Sequence, residues 1–147
     1  MSLERTSEYI FSGLPVHQLS KDGPYTGVLQ YIAFITQTST DAPTAVVREN
    51  TLGETPILAR DNTGSYTLTV VSPLFVADRT LFRIKPLTYD ISNPEIMSFF
   101  NVTRNSDTQL LIYTSVAAAG GGGTWASPVA TDGLLNNTPL EILIYRR

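Results

Sequence analysis

Residues Tyr31 to Gly53 read YIAFITQTSTDAPTAVVRENTLG, and this stretch decides the fold class. Tyr31-Ile-Ala-Phe-Ile35 is a run dense in aromatic and β-branched residues, which fit the pleated, packed surface of a strand. Ser39 to Pro43 breaks it with polar turn formers, Ala45 to Val47 is a second short apolar run, and Asn50 to Gly53 closes on turn residues. Strand, loop, strand and turn thus follow one another within 23 residues. None of these side chains is placed as a nucleophile, general base or metal ligand, so the chemistry of the stretch is structural.

Working outward, Thr26 to Thr38 has apolar residues on both faces: Leu29, Tyr31, Ala33 and Ile35 on one, Val28, Ile32 and Phe34 on the other. That pattern predicts a central strand covered on two sides. Ala45 to Glu49 is expected to pair with it. Beyond Ile57 to Arg60, Asp61-Asn-Thr-Gly-Ser65 predicts a bulged hairpin with Gly64 supplying positive φ. The return strand Ser65 to Val71 alternates Tyr66, Leu68 and Val70 against Thr67 and Thr69, one buried face and one wet. Thr80 to Lys85 is a further strand that Pro86 ends, and Tyr89 to Glu95 reads as a loop. Ile96 to Thr103 and Gln109 to Val116 are strands joined by a turn at Arg104 to Asp107. The segment from Ala117 through four glycines to Trp125 is expected to be a mobile loop, because glycine loses most backbone entropy on ordering. Leu140 to Tyr145 is the last strand, with Leu140, Ile142 and Ile144 inward.

About seven to nine strands, no helical period and turn signals every ten or so residues predict an all-β chain, an antiparallel β-sandwich or jelly roll spanning residues 26 to 147. Residues 1 to 25 differ. Gly13, Pro15, Gly23 and Pro24 punctuate an extended N-terminal arm whose large apolar residues keep no period. Tyr9, Ile10, Phe11 and Leu14 in this arm are expected to lie against the body of the chain or a neighbouring subunit.

At 147 residues with no cysteine, the chain is one domain able to bury a core without disulfides, and thiolate chemistry is excluded. Ten basic against thirteen acidic residues, a net charge of -3, leave no face suited to nucleic acid. No stretch reaches the roughly 20 apolar residues of a spanning helix, and Met1-Ser-Leu-Glu-Arg5 lacks the apolar core of a secretion signal. Only 16% of residues are charged, against about 25% in typical domains, which fits a surface covered by copies or partners as well as a plain polar one.

Chemical signatures fail one check each. Gly120 to Gly123 lacks the Lys-Ser/Thr ending and following helix of a phosphate loop, and Asp61-Asn-Thr-Gly64 lacks the later acidic ligand of a calcium loop. The single histidine, His17, sits in the arm without a partner carboxylate, so a serine triad has no base. Asp90 and Glu95 are expected to be solvated loop acids. No metal or other cofactor is expected. Trp125 with Tyr113 and Tyr89 forms a candidate stacking platform for a sugar ring.

Tyr31-Ile-Ala, Thr36-Gln-Thr, Asp41-Ala-Pro-Thr-Ala, Val47-Arg-Glu-Asn-Thr-Leu-Gly53, Gly64-Ser-Tyr66 and Asp132-Gly-Leu-Leu-Asn-Asn-Thr-Pro-Leu-Glu-Ile-Leu-Ile-Tyr145 together resemble small β-rich structural proteins of tailed bacteriophage virions. The resemblance spans roughly residues 28 to 145 and is specific at its two ends, in Gln37 to Gly53 and Leu134 to Tyr145. It implies a non-enzymatic virion component, a capsid decoration, fibre or tail part, assembled in the host cytoplasm. It further implies a symmetric homo-oligomer, a trimer favoured, in contact with other virion proteins, and transfers no catalytic residue. The glycine run and the arm depart from it. The alternative is a carbohydrate-binding or adhesin module that reads a host-surface glycan through Trp125, and a small hydrolase is the third reading.

Overall fold

A computed structural model describes residues 27–85, 96–120 and 122–146. The expected arm with Tyr9, Ile10, Phe11, Leu14 and His17, and the loop with Tyr89, Asp90 and Glu95, lie outside those residues. The described chain is all β. Its nine strands are β1 (Val28–Thr36), β2 (Thr44–Asn50), β3 (Ile57–Asn62), β4 (Ser65–Thr69), β5 (Thr80–Ile84), β6 (Ile96–Ser106), β7 (Gln109–Ala118), β8 (Val129–Ala130) and β9 (Thr138–Tyr145).

They form two antiparallel sheets packed as a sandwich. The first has the order β2-β1-β9-β5, the second β3-β4-β7-β6, with β8 continuing alongside β7. Four pairs of sequence neighbours, β1–β2, β3–β4, β6–β7 and β7–β8, are antiparallel. Thr63-Gly64 turns β3 into β4 over a bulge between Arg60 and Asn62, with Gly64 at φ 62°. A Cβ there would collide with the backbone oxygen of Thr114 and nitrogen of Thr131, so only glycine fits. Two pairings are not local: β4 lies beside β7, and β9 enters between β1 and β5, setting Tyr31 opposite Ile142 on one side and Phe82 opposite it on the other.

The core is where the inward rows of the two sheets meet. Tyr31, Ala33 and Ile35 of β1 and Leu140, Ile142 and Ile144 of β9 face Tyr66 and Leu68 of β4, Leu110 and Ile112 of β7 and Val102 of β6. Val70, expected with them, is buried too. Connecting segments contribute as well: Leu52, Phe75 and Leu135 are buried in the same core, the last two completely. Phe75 is held by its backbone, its N–H donating to Asp107 O at 2.7 Å and its carbonyl accepting from Arg104 Nε.

Four expectations need correction. β1 is central in its sheet, but among the described residues only one of its faces is covered; Val28 is exposed and Ile32 and Phe34 are half-buried on the other. Thr67, expected on a wet face, is buried, because Ala59 and Leu111 flank the short side chain on both sides. The turn between β6 and β7 falls at Asp107-Thr108, since pairing continues to Ser106 with Gln109. Finally, Ala118 to Gly120 and Thr124 to Ala126, expected within a loop or at its end, are the paired arms of a ribbon. Gly120 N donates to Thr124 O at 2.6 Å, Ala119 bridges Trp125, and Ala126 N donates to Ala118 O at 2.9 Å. Gly122 and Gly123, at φ 82° and 80°, supply the left-handed backbone that reverses the chain, and the returning segment leads into β8.

Ile142 touches both neighbours of β9 and the facing sheet from a fully buried position. Ile142→Ala should therefore lower stability by about 2 to 5 kcal/mol in urea unfolding, the range for a truncated buried aliphatic.

Candidate binding surfaces and the Asp132 clamp

The most perturbed ionisable group among the described residues is Asp132, in the loop between β8 and β9. Oδ2 of Asp132 accepts from Arg60 at 2.7 Å, and Arg60 Nε lies 3.2 Å from both carboxylate oxygens. Oδ1 also accepts from Gly64 N at 2.9 Å and lies 3.0 Å from the Tyr66 hydroxyl. That hydroxyl is 3.2 Å from Gln37 Oε1 as well, so one phenolic proton sits between two acceptors. Gln37 continues the chain of contacts, accepting from Gly133 N at Oε1 and donating through Nε2 to the carbonyls of Ser39 and Asp41. The Arg60 guanidinium, then the Gly64 and Tyr66 donors, hold the Asp132 carboxyl down at about 2 against its burial.

A carboxylate so depressed and so fully hydrogen-bonded is a poor proton acceptor near neutral pH, and its chemistry is that of a clamp. It joins the β3–β4 hairpin of one sheet, through Gln37, to the end of β1 in the other. Glu54 performs a smaller version of the same task, accepting from the backbone N–H groups of Val71 and Ser72 just past the end of β4. Among the described residues no cluster of histidine and carboxylate side chains is arranged to hold a metal ion.

One concavity is worth weighing as a ligand site. An open groove of about 190 Å³ is lined by Leu29, Leu74, Val76, Ile144, Arg79 and Arg146 among others. It is smaller than the roughly 300 to 1,000 Å³ of ordinary small-molecule sites, and none of its lining side chains is a carboxylate, imidazole or serine.

The remaining candidates are surfaces. Of the expected stacking platform, Tyr113 and Trp125 are described and both are exposed, whereas Tyr89 lies outside the described residues. Trp125 pairs with Ala119, six residues along the ribbon from Tyr113, which is about 20 Å at the rise of a strand. The two rings are separate contact points and do not clamp one sugar. Between them the register places side chains the sequence reading did not single out. Phe99 pairs with Ser115 and Met97 with Ala117, positions that share a face with Tyr113. Phe99 and Met97 are exposed, as are Ile96 and Val129 of the same ribbon. Their signal in the sequence was the apolar start of β6, read as strand without regard to which of its faces would be covered.

Folding holds the Asp132 carboxyl below its ordinary 3.8, so its contribution is complete above about pH 4 and is lost as pH falls toward about 2. Asp132→Asn should cost about 2 kcal/mol at pH 7, and the difference from the parent chain in urea unfolding should narrow between pH 4 and pH 2. A constant difference across that range would show that the charge is not what the clamp uses. Among known protein families, curated proteins and solved structures, no match to this chain is found.

Proposed function

We propose that this chain is a non-enzymatic structural component of a tailed-phage virion, a decoration, fibre or tail part, that works by assembling with copies of itself, a trimer in the first instance, and with other virion proteins. The observation that carries the assembly reading is the ribbon made by the first half of β6, the second half of β7 and β8. It presents Met97, Phe99, Tyr113 and Trp125 on one face, all exposed. Its outer strand β6 is eleven residues long, carries one charge, Arg104, and pairs among the described residues with β7 alone. A long edge strand with apolar side chains and open backbone donors and acceptors is a template for another chain. The virion itself is supported by the likeness of the Gln37 to Gly53 and Leu134 to Tyr145 blocks to phage structural proteins.

Phe99→Glu puts a charge at the centre of this face without entering the core. Light scattering should show the parent chain as an oligomer and the variant reduced toward the 16.1 kDa monomer, with an unchanged far-ultraviolet circular dichroism spectrum. A parent chain that is monomeric at tens of micromolar and binds no virion protein overturns the proposal.

Trp125, exposed at the ribbon tip beside Gly122 and Gly123, supports the second reading, a glycan-binding module. On a glycan array that reading requires saccharide binding that disappears with Trp125→Ala; an architectural protein shows none.

A further inference from the structure

The outer face of the β2-β1-β9-β5 sheet is composed like an inner one. Outward positions of an antiparallel sheet that meets water are ordinarily polar. Here β1 turns Val28, Ile32 and Phe34 outward and β9 turns Pro139, Leu143 and Tyr145 outward, leaving Gln30, Thr36 and Glu141 as the polar members of the two rows. The edge strands extend the patch with Val46, 58% exposed, and Leu81, 42% exposed. Its charges are few: Arg48 stands over the Phe34 ring at 5.4 Å, Arg83 lies 3.7 Å from Glu141, and Glu49 sits opposite Ile32 on the edge strand. The sequence alone predicts a strand covered on two sides, and among the described residues nothing covers the second.

We infer that this face is the seat of residues 1–26 of the same chain. Three observations select that occupant. The described chain begins at Gly27, at the corner of the sheet where Val28 pairs with Tyr145 and Leu143 with Leu81. Gly27 has φ 80°, which permits a reversal there that other residues resist, and its carbonyl is fixed by Arg146 N at 3.0 Å. Upstream of it stand seven large apolar residues, Tyr9, Ile10, Phe11 and Leu14 among them, with enough chain to cross the face several times at about 3.3 Å per residue.

The main competitor is a second copy docked face to face, which must hold a free partner through a face of roughly 30 by 19 Å, nine residues of strand by four strands, against the roughly 800 Å² of accessible surface per partner that a standard interface buries. A tethered segment has no such threshold. It loses no translational freedom on docking and meets the face at an effective concentration in the millimolar range. This inference is independent of the virion reading and of the β6 ribbon, which belongs to the other sheet.

The chain has no cysteine, so Phe11→Cys offers a single attachment point for a benzophenone-maleimide probe on the full-length protein. On illumination, the monomer band should carry crosslinks mapped by mass spectrometry to the outward positions of β1, β2, β5 and β9. Val46→Glu combined with Leu81→Glu, both at exposed positions on the sheet's edge strands, should abolish these crosslinks and leave the circular dichroism spectrum unchanged. Crosslinks found only in a covalent dimer assign the face to a neighbour's arm and overturn the inference. So do crosslinks to the β3-β4-β7-β6 sheet, crosslinks that survive the double variant, or none at all.

Discussion

The insertion of β9 between β1 and β5 is the constraint on which the rest of the sandwich depends. Val28 pairs with Tyr145, so the first sheet is complete only when the two ends of the described chain have met. Such a pairing closes a long loop before it gains any contact, a cost that slows folding. What offsets it is the row Leu140, Ile142 and Ile144, which enters a core already lined by Tyr31, Ala33 and Ile35 on the same sheet and Leu68 and Ile112 opposite. The hairpins β1–β2, β3–β4 and β6–β7 need only their turns; β4–β7 pairing joins the last two into one sheet, and β9 completes the other.

The Asp132 clamp solves a separate problem at the open side of the sandwich, where the loop that precedes β9 must pass from one sheet to the other. Arg60, Gly64 and Tyr66 all lie in the β3–β4 hairpin, 66 to 72 residues before the carboxylate that gathers them. Gln37 carries the contact across to the end of β1, and its neighbour in the loop is fixed by Gln37 N donating to Leu135 O at 2.8 Å. Every buried side-chain polar atom in the described residues has a partner, so the polar knot adds specificity without leaving an unpaired group in the interior.

The two sheets leave different surfaces to solvent. The outer face of β1 and β9 is apolar over its middle and nearly without free charge, while the β6–β7 ribbon runs past the end of β4 and exposes side chains on both of its faces. The first surface is broad, flat and adjacent to the point where the upstream chain joins. The second is narrow and ends in an open strand edge. A flat face suits an extended segment laid across it, and an edge suits main-chain pairing, so the two are built for different occupants.

Alternation is a local property, and what depended on it was legible in the residues themselves. Tyr66, Leu68 and Val70, the β9 row, and the inward half of β1 all reach the core as their period of two requires, and the Asp61 to Ser65 hairpin forms because Gly64 alone tolerates its backbone. The all-β class and most inward residues were therefore determined by the sequence. It could not show which strands lie side by side, since any strand of the right pattern satisfies the same period. The place of β9, the burial of Phe75 from a segment with no pattern and the meeting of Asp132 with Arg60 and Tyr66 were decided only by tertiary structure, because each joins residues far apart in the chain through contacts that no local rule specifies.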